Sequence, residues 1–358
     1  MGVRSVNVFF LTKTGGFAMQ SSTIKEIARL CGLSRATVSA VLNGKPGVSE
    51  RARTKVYDAM RENRLRPRLA ASSLVTGFGR VFGMVVPDIR NPFYMEFMDG
   101  LLKEMKQHGH NVICKPTDGT VEDEISTLES MASNDVSGFV LVPSESGASR
   151  EHILRIVASR KPLVILGSLP GVDSHTVEVD NRVGAKAATD LLLRAGHKRL
   201  MYLGGPALSG PSKERMFGFV ESLVEHSIFF DESMMAWTDG VFHSGHRRAL
   251  EILADPQRRP TGVLCFNDIL AAAVYRAAHE LGLRIPGDLS VVGFDDIELA
   301  QVLGPPLTTV ATHPFGMGRT AAQVMLEALK QPGPGRPIRR IIPAVLVERG
   351  SVAPPAAG

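Results

Sequence analysis

From residue 80 to residue 350 the chain alternates short apolar runs with amphipathic stretches of helical period, which leaves few architectures open. Runs at 81–86, 111–115, 138–142, 162–166, 176–179, 200–203, 262–266 and 289–293 read as strands. The stretches 92–107, 121–134, 150–160, 182–195, 213–225, 244–254, 268–281 and 315–329 read as helices. Strands that are apolar throughout suit sheets covered on both faces, and alternation with short links suits parallel pairing. The strand count predicts two doubly wound parallel-sheet subdomains meeting near 179–180. Ligands in such folds sit beyond the carboxyl ends of the strands. The loops after Val86, Val142, Leu166, Gly204, Phe266 and Gly293 are therefore the candidate ligand loops.

A small all-α unit precedes this region. Residues 23–43 read TIKEIARLCGLSRATVSAVLN. Thr23 and Glu26 have capping-box spacing, and Ile24, Ile27, Ala28 and Cys31 form one inward stripe. Gly32 ends the first helix, and Ser34 is placed to cap a second with Val38, Val41 and Leu42 inward. Ser34, Arg35, Ala36, Thr37 and Ser39 remain outward, small hydrogen-bonding groups and one Arg that suit base edges and phosphates. An ordinary helical hairpin would share the apolar pattern, but the charge distribution favours a polyanion partner. Residues 1–80 hold 14 Lys and Arg against four acids, a net +10, whereas the whole chain is +5, leaving −5 for the remainder. Ser49 is placed to cap a third helix with Ala52, Val56 and Met60 inward. Pro67 then stands where a short helix could start, ahead of the joint Thr76-Gly77-Phe78-Gly79.

Three scattered cysteines, Cys31, Cys114 and Cys265, form no pairing or zinc-ligand framework and read as free thiols in a reducing compartment. No apolar run approaches the ~20 residues of a membrane span. Residues 6–11 make a poor signal-peptide core, so 1–22 reads as a disordered extension, with Met19 as the expected start. Nucleophile elbows, Walker loops, zinc spacings and dinucleotide fingerprints are absent from the sequence; neither a catalytic residue nor a cofactor is expected.

An ordered series of motifs resembles the LacI family of bacterial transcriptional regulators over residues 23–350: TIKEIARLCGLSRATVSAVLNG, RPRLAASSLVTG, VVPDIRNPFY, VEVDN, GHKRLMYLGG, PTGVLCFND, and GLRIPGDLSVVGFDD followed by PPLTTV. The resemblance implies a helix-turn-helix headpiece at 23–66, a hinge helix and linker at 67–79, and an effector and dimerisation domain at 80–350. That domain is expected to be shaped like periplasmic binding proteins, with subdomains of about 80–178 with 311–336 and 179–308 with 339–350. The Pro- and Ala-rich end, 351–358, reads as a disordered tail. A cytoplasmic homodimer is implied, a tetramer being left open, that binds a palindromic double-stranded operator and a small-molecule effector.

Carried over by position, Thr23, Ser34, Arg35, Ala36, Thr37, Ser39 and Asn43 would face DNA, Thr37 and Ser39 at phosphates and Arg35 and Ala36 at bases. Ala40 departs from the long side chain many members carry, which moves base readout toward Arg35. Ala71 and Leu74 would lie in the minor groove, Leu74 as a wedge between base pairs. Phe93 and Tyr94 would wall the effector, with Ser144, Ser209, Arg215, Asn267 and Asp295 as polar contacts and Phe242 or Trp237 as the opposite wall. Asp268 is expected to cap the following helix, and Asp180-Asn181 to secure the crossing between subdomains. Gly167 replaces an Asp common in the family, and Ser209 stands where purine-responsive members carry Arg. The expected effector is therefore a sugar or sugar acid; a purine-responsive corepressed regulator, or a periplasmic-type receptor without DNA function, are the alternatives.

Overall fold

The computed structural model describes residues 20–22, 24–42, 45–63, 65–67, 81–117, 119–133, 136–144, 150–331 and 336–356. The chain divides into two compact units, Met1–Gly79 and Arg80–Gly358.

The first unit is built on helices Ile24–Cys31, Arg35–Leu42 and Glu50–Glu62. Ile27, Ala28, Val38, Val41 and Val56 form its buried centre, with Ile24, Cys31, Leu42 and Met60 packed around it. Gly32 turns the chain between the first two helices at φ +66, a conformation costly for residues bearing a Cβ. Ser34 Oγ accepts the Thr37 N–H at 3.0 Å, and Ser49 Oγ accepts the Ala52 N–H at 3.3 Å, so both expected caps form. Thr23, the other half of the expected capping box, lies outside the described residues.

One expectation for this unit needs correction. Residues 20–22, assigned above to a disordered extension, form strand β1 (Gln20–Ser22), which pairs in parallel with β2 (Leu65–Pro67). Pro67 is the last residue of β2; the short helix expected after it falls on residues outside those described. A three-residue polar strand carries no period of its own; backbone pairing with a segment some 45 residues away defines it. Residues 1–19 and the remaining hinge, 68–79, lie outside the described residues.

The second unit has the expected α/β architecture. Strands β3 (Val81–Val86), β4 (Asn111–Pro116), β5 (Phe139–Leu141), β6 (Leu163–Leu166) and β7 (His175–Val179) belong to a six-stranded parallel sheet. Strands β8 (Leu200–Gly204), β9 (Met235–Trp237), β10 (Gly262–Cys265) and β11 (Ser290–Val292) make a four-stranded parallel sheet. Each sheet is buried on both faces. Along β3, Phe82, Met84 and Val86 join one apolar cluster while Val85 joins the other. Along β10, Val263 and Cys265 face one cluster and Leu264 the opposite one. Two-sided burial is why these strands read as continuous apolar runs.

Late in the chain, β12 (Thr309–Ala311) and β14 (Val345–Val347) pair antiparallel, flanking the helix Pro314–Ala328 and strand β13 (Arg339–Ile342). That helix packs on the first sheet through Met317, Ala321 and Met325. Gly318 lets it also approach helix Pro92–Gln107 closely, since a Cβ there would fall 1.9 Å from the Phe97 carbonyl oxygen. Strand β13 was expected with the second subdomain, but it pairs with β7, Arg339 opposite Thr176 and Ile342 opposite Val179, and extends the first sheet. Its RRII sequence, largely exposed, has no alternation that could have specified a partner. The tail is a further correction. Ser351 is fully buried, accepts the Thr308 N–H at 2.8 Å and donates to the Val291 carbonyl at 2.6 Å. Ala353 donates its N–H to Ser290 at 3.1 Å, and its carbonyl lies 2.9 Å from His197 Nε2. Composition suggested disorder, but hydrogen bonds alongside β11 hold residues 351–353. Among the described residues, no helix is long and apolar enough to cross a membrane.

Candidate functional site

In the first unit, Ser34, Arg35 and Ala36 are exposed at the start of helix Arg35–Leu42, and Thr37, Ser39 and Ala40 are half-buried. The Ser34 and Thr37 hydroxyls lie 2.8 Å apart, so the capping interaction also orients Thr37. Four other positions expected at DNA, Thr23, Asn43, Ala71 and Leu74, lie outside the described residues.

The second unit contains a cavity of ≈ 220 Å³ between its two sheets, at the carboxyl ends of their strands. Phe93, Tyr94 and Ser144 line it from the six-stranded side, and Ser209, Arg215, Asn267 and Asp295 from the four-stranded side. All seven expected effector residues thus meet at one place. Asn91 caps helix Pro92–Gln107 by accepting the Phe93 N–H at 3.0 Å, which sets the two rings at the helix start, 5.2 Å apart and edge to face.

Arg215 organises the opposite side. Its Nε donates to Asn181 Oδ1 at 2.8 Å, Nη1 donates to the Phe266 carbonyl, and Nη2 lies 3.4 Å from Asp295 Oδ1. Its guanidinium carbon stands 3.7 Å from the ring centre of Phe294 and 4.6 Å from that of Phe266, a cation over two aromatic faces. Burial raises the Asp295 carboxyl to about 7 despite the neighbouring guanidinium. Asp295 also holds φ +109, a backbone strain held at a cavity wall.

Several side chains have more local work than expected. Ser209 Oγ caps helix Gly210–Glu225 by accepting the Ser212 N–H at 3.0 Å, and the Ser144 hydroxyl donates to the Thr120 carbonyl at 3.0 Å. Asn267, not Asp268, caps helix Asp268–Glu280: its Oδ1 accepts the Leu270 N–H at 2.8 Å and its Nδ2 donates to Gly240 O at 3.2 Å. The extended backbone at Asn267 suits a cap, whereas Asp268 already lies inside the helix and is fully buried. It accepts from the Ile297 N–H at 2.9 Å and the Thr309 hydroxyl at 2.5 Å, and burial pushes its carboxyl well above the usual range. Asp180 caps helix Asn181–Arg194 through the Val183 N–H at 3.3 Å. Neither proposed opposite wall lines the cavity: Trp237 packs edge-on to Tyr202 at 5.9 Å, and Phe242 stacks on His246 at 6.1 Å. Phe266 lines it instead. The cavity also includes Glu124, Arg150, His152, Asn181 and Lys213, which sequence reasoning had not assigned to the ligand. Four of them sit on helices and Arg150 directly precedes one, where a polar residue facing a cleft looks like one facing solvent. Gly167, another lining residue, holds φ +92, which accounts for glycine at that position.

Residues 23–67 match the description of bacterial regulatory proteins of the lacI family, and residues 189–352 match a periplasmic binding protein-like domain. The chain is 32% identical over 336 residues to the HTH-type transcriptional repressor PurR of Aliivibrio fischeri, covering 93% of this chain and 98% of the relative. It is 30% identical over 331 residues to the ribose operon repressor of Escherichia coli, covering 92% and 99% respectively. Among solved structures, the transcriptional regulator CelR in complex with cellobiose superposes with a TM-score of 0.69 at 25% identity, covering 92% of this chain and 99% of that one.

Proposed function

The chain belongs to the LacI family of bacterial regulatory proteins and is a DNA-binding transcriptional regulator controlled by a small molecule; from this we propose that a sugar or sugar acid in the interlobe cavity sets its operator affinity. The observation that carries the reading is the convergence of Phe93, Tyr94, Arg215, Asn267 and Asp295, from both lobes, on one cavity. An aromatic pair offers a face to a ring, while an Arg and a carboxylate give a donor fork and an acceptor for hydroxyls. A ligand touching both lobes stabilises their closed arrangement relative to an open one, which is the differential affinity that switching needs. In this reading Arg35 and Ala36 contact bases, Thr37 and Ser39 hold phosphates, and Thr23, Ser34 and Asn43 support the same face. Ala71 and Leu74 enter the minor groove at the centre of a palindromic operator bound by a homodimer. The protein acts in the cytoplasm as a binding protein and not as an enzyme.

A purine effector is the second reading, favoured by the likeness to a repressor named PurR. Ser209 weighs against it: an Arg at this position would offer a fork, whereas the serine hydroxyl caps a helix. Footprinting on genomic fragments tests the regulator: protection of a short inverted repeat is expected, and binding no tighter than to random DNA at moderate salt would refute it. Thermal-shift measurements with sugars, sugar acids and nucleosides separate the effector readings, because a bound effector raises Tm by mass action.

A further inference from the structure

The lobe built on the six-stranded sheet contributes a buried acid–imidazole pair to the cavity wall. His152 is 5% exposed, and its Nε2 lies 2.6 Å from Oε1 of Glu124, itself 1% exposed. Glu124 also accepts the Ser144 N–H, so its carboxylate is engaged on two sides. The other ring nitrogen, Nδ1, is buried and has no hydrogen-bond partner among the described residues. Leaving a buried polar atom unpaired is costly, and one on a ligand-cavity wall is where a ligand atom restores the missing bond.

We propose that His152, held by Glu124, is a recognition group for an anionic oxygen of the effector, a carboxylate or phosphate shared with Arg150 and Lys213. This rests on the regulator reading above and narrows its ligand class. With Nε2 turned to Glu124, Nδ1 can accept from a hydroxyl when the ring is neutral or donate to an anion when it is charged. The groups around it bear on which kind of ligand atom fits. Of the ionic groups lining the cavity, Arg215 is paired with Asp295 and His152 with Glu124. Arg150 and Lys213 line the same cavity and have no carboxylate within ion-pair distance among the described residues. Helix Glu151–Ala158 also begins at Arg150 without a side-chain cap, leaving its first N–H groups directed outward from the turn that carries His152. Glu151, exposed in that first turn, adds an opposing negative charge there, and Arg150 Nη1 donates to the Pro170 carbonyl. An acceptor-rich, negatively charged group complements such a wall; a neutral hydroxyl does not.

The test uses the full-length protein in thermal-shift titrations against matched pairs: glucose and gluconate, galactose and galacturonate, ribose and ribose 5-phosphate, with inorganic phosphate alone beside them. At least one anionic member should raise Tm by several degrees more than its neutral partner, and His152→Gln should weaken that anion at least tenfold. Lys213→Gln changes an exposed side chain, so it tests the same claim should His152→Gln fail to fold; a clear loss of anion affinity is again expected. Neutral partners that stabilise equally, an anion effect surviving in both variants, or a panel in which no anion raises Tm would each overturn the assignment. Operator footprinting on the same preparation is independent of this outcome, so a failed regulator reading would be visible separately.

Discussion

Arg215 Nη2 and Asp295 Oδ1 face each other at 3.4 Å with both side chains more than nine-tenths buried. At that separation the guanidinium only partly compensates the carboxyl, whose raised value of about 7 follows from burial first. Removing Arg215 strips the carboxyl of its compensating charge, which costs on the order of 3–5 kcal/mol for a buried pair. Arg215→Ala should therefore lower Tm by several degrees and abolish the effector response. Asp295→Asn keeps the shape and should lose effector binding with little loss of fold. Calorimetry with and without effector, alongside operator gel shifts, separates the two variants; an effector response retained in Asp295→Asn would remove the carboxylate from recognition.

The same carboxyl gives a pH dependence with a definite sign. Its native value lies above the 3.8 of a free aspartate, so the folded chain holds this proton more tightly than the unfolded one. The resulting stabilisation is complete below about pH 4 and is lost as pH rises through about 7. In effector-free protein, the difference in Tm between wild type and Asp295→Asn should move in favour of the variant between pH 5 and 8, a window set by that raised value. A difference independent of pH would mean that Asp295 is ionised throughout.

At the headpiece, Arg35 is exposed at the start of its helix, and Ser34 serves as that helix's cap. Arg35→Ala should relax base preference at one operator position by about 1–3 kcal/mol, seen as altered competition among operator variants. Ser34→Ala should cost about 1 kcal/mol of headpiece stability through the lost cap and weaken all operators alike. Equal effects of Arg35→Ala on every operator variant would reassign it to the phosphates.

Leu74 lies outside the described residues, and its proposed role rests on the resemblance of the RPRLAASSLVTG linker to the family. If it unstacks the central base step, Leu74→Ala should weaken operator binding and reduce the bend measured by circular permutation, while calorimetric effector affinity stays unchanged. Unaltered bending would dismiss the wedge.

Much of this molecule could be read from local pattern. Strand β3 was foreseen to the residue, because burial on both faces leaves six consecutive positions without a charge. The helix-turn-helix was equally legible, since Gly32 and Ser34 carry the turn and the cap in their own backbone and side-chain chemistry. The resemblance to the family singled out seven positions, from Phe93 to Asp295, that the structure brings to one cavity. What escaped were the relationships made across distance. Strands β1 and β13 are specified by partners far along the chain, and Ser351 is ordered by β11 and Thr308 instead of by its Pro- and Ala-rich surroundings. Asn267 took the cap expected of Asp268 because one residue of helix phase decides which side chain caps and which is buried. The His152–Glu124 pair joins residues 28 positions apart on two helices. Period and capping act within a few residues and are written into the order of amino acids. Pairing, burial and the choice of which polar atom meets a cavity depend on packing between segments, and only the tertiary structure decides them.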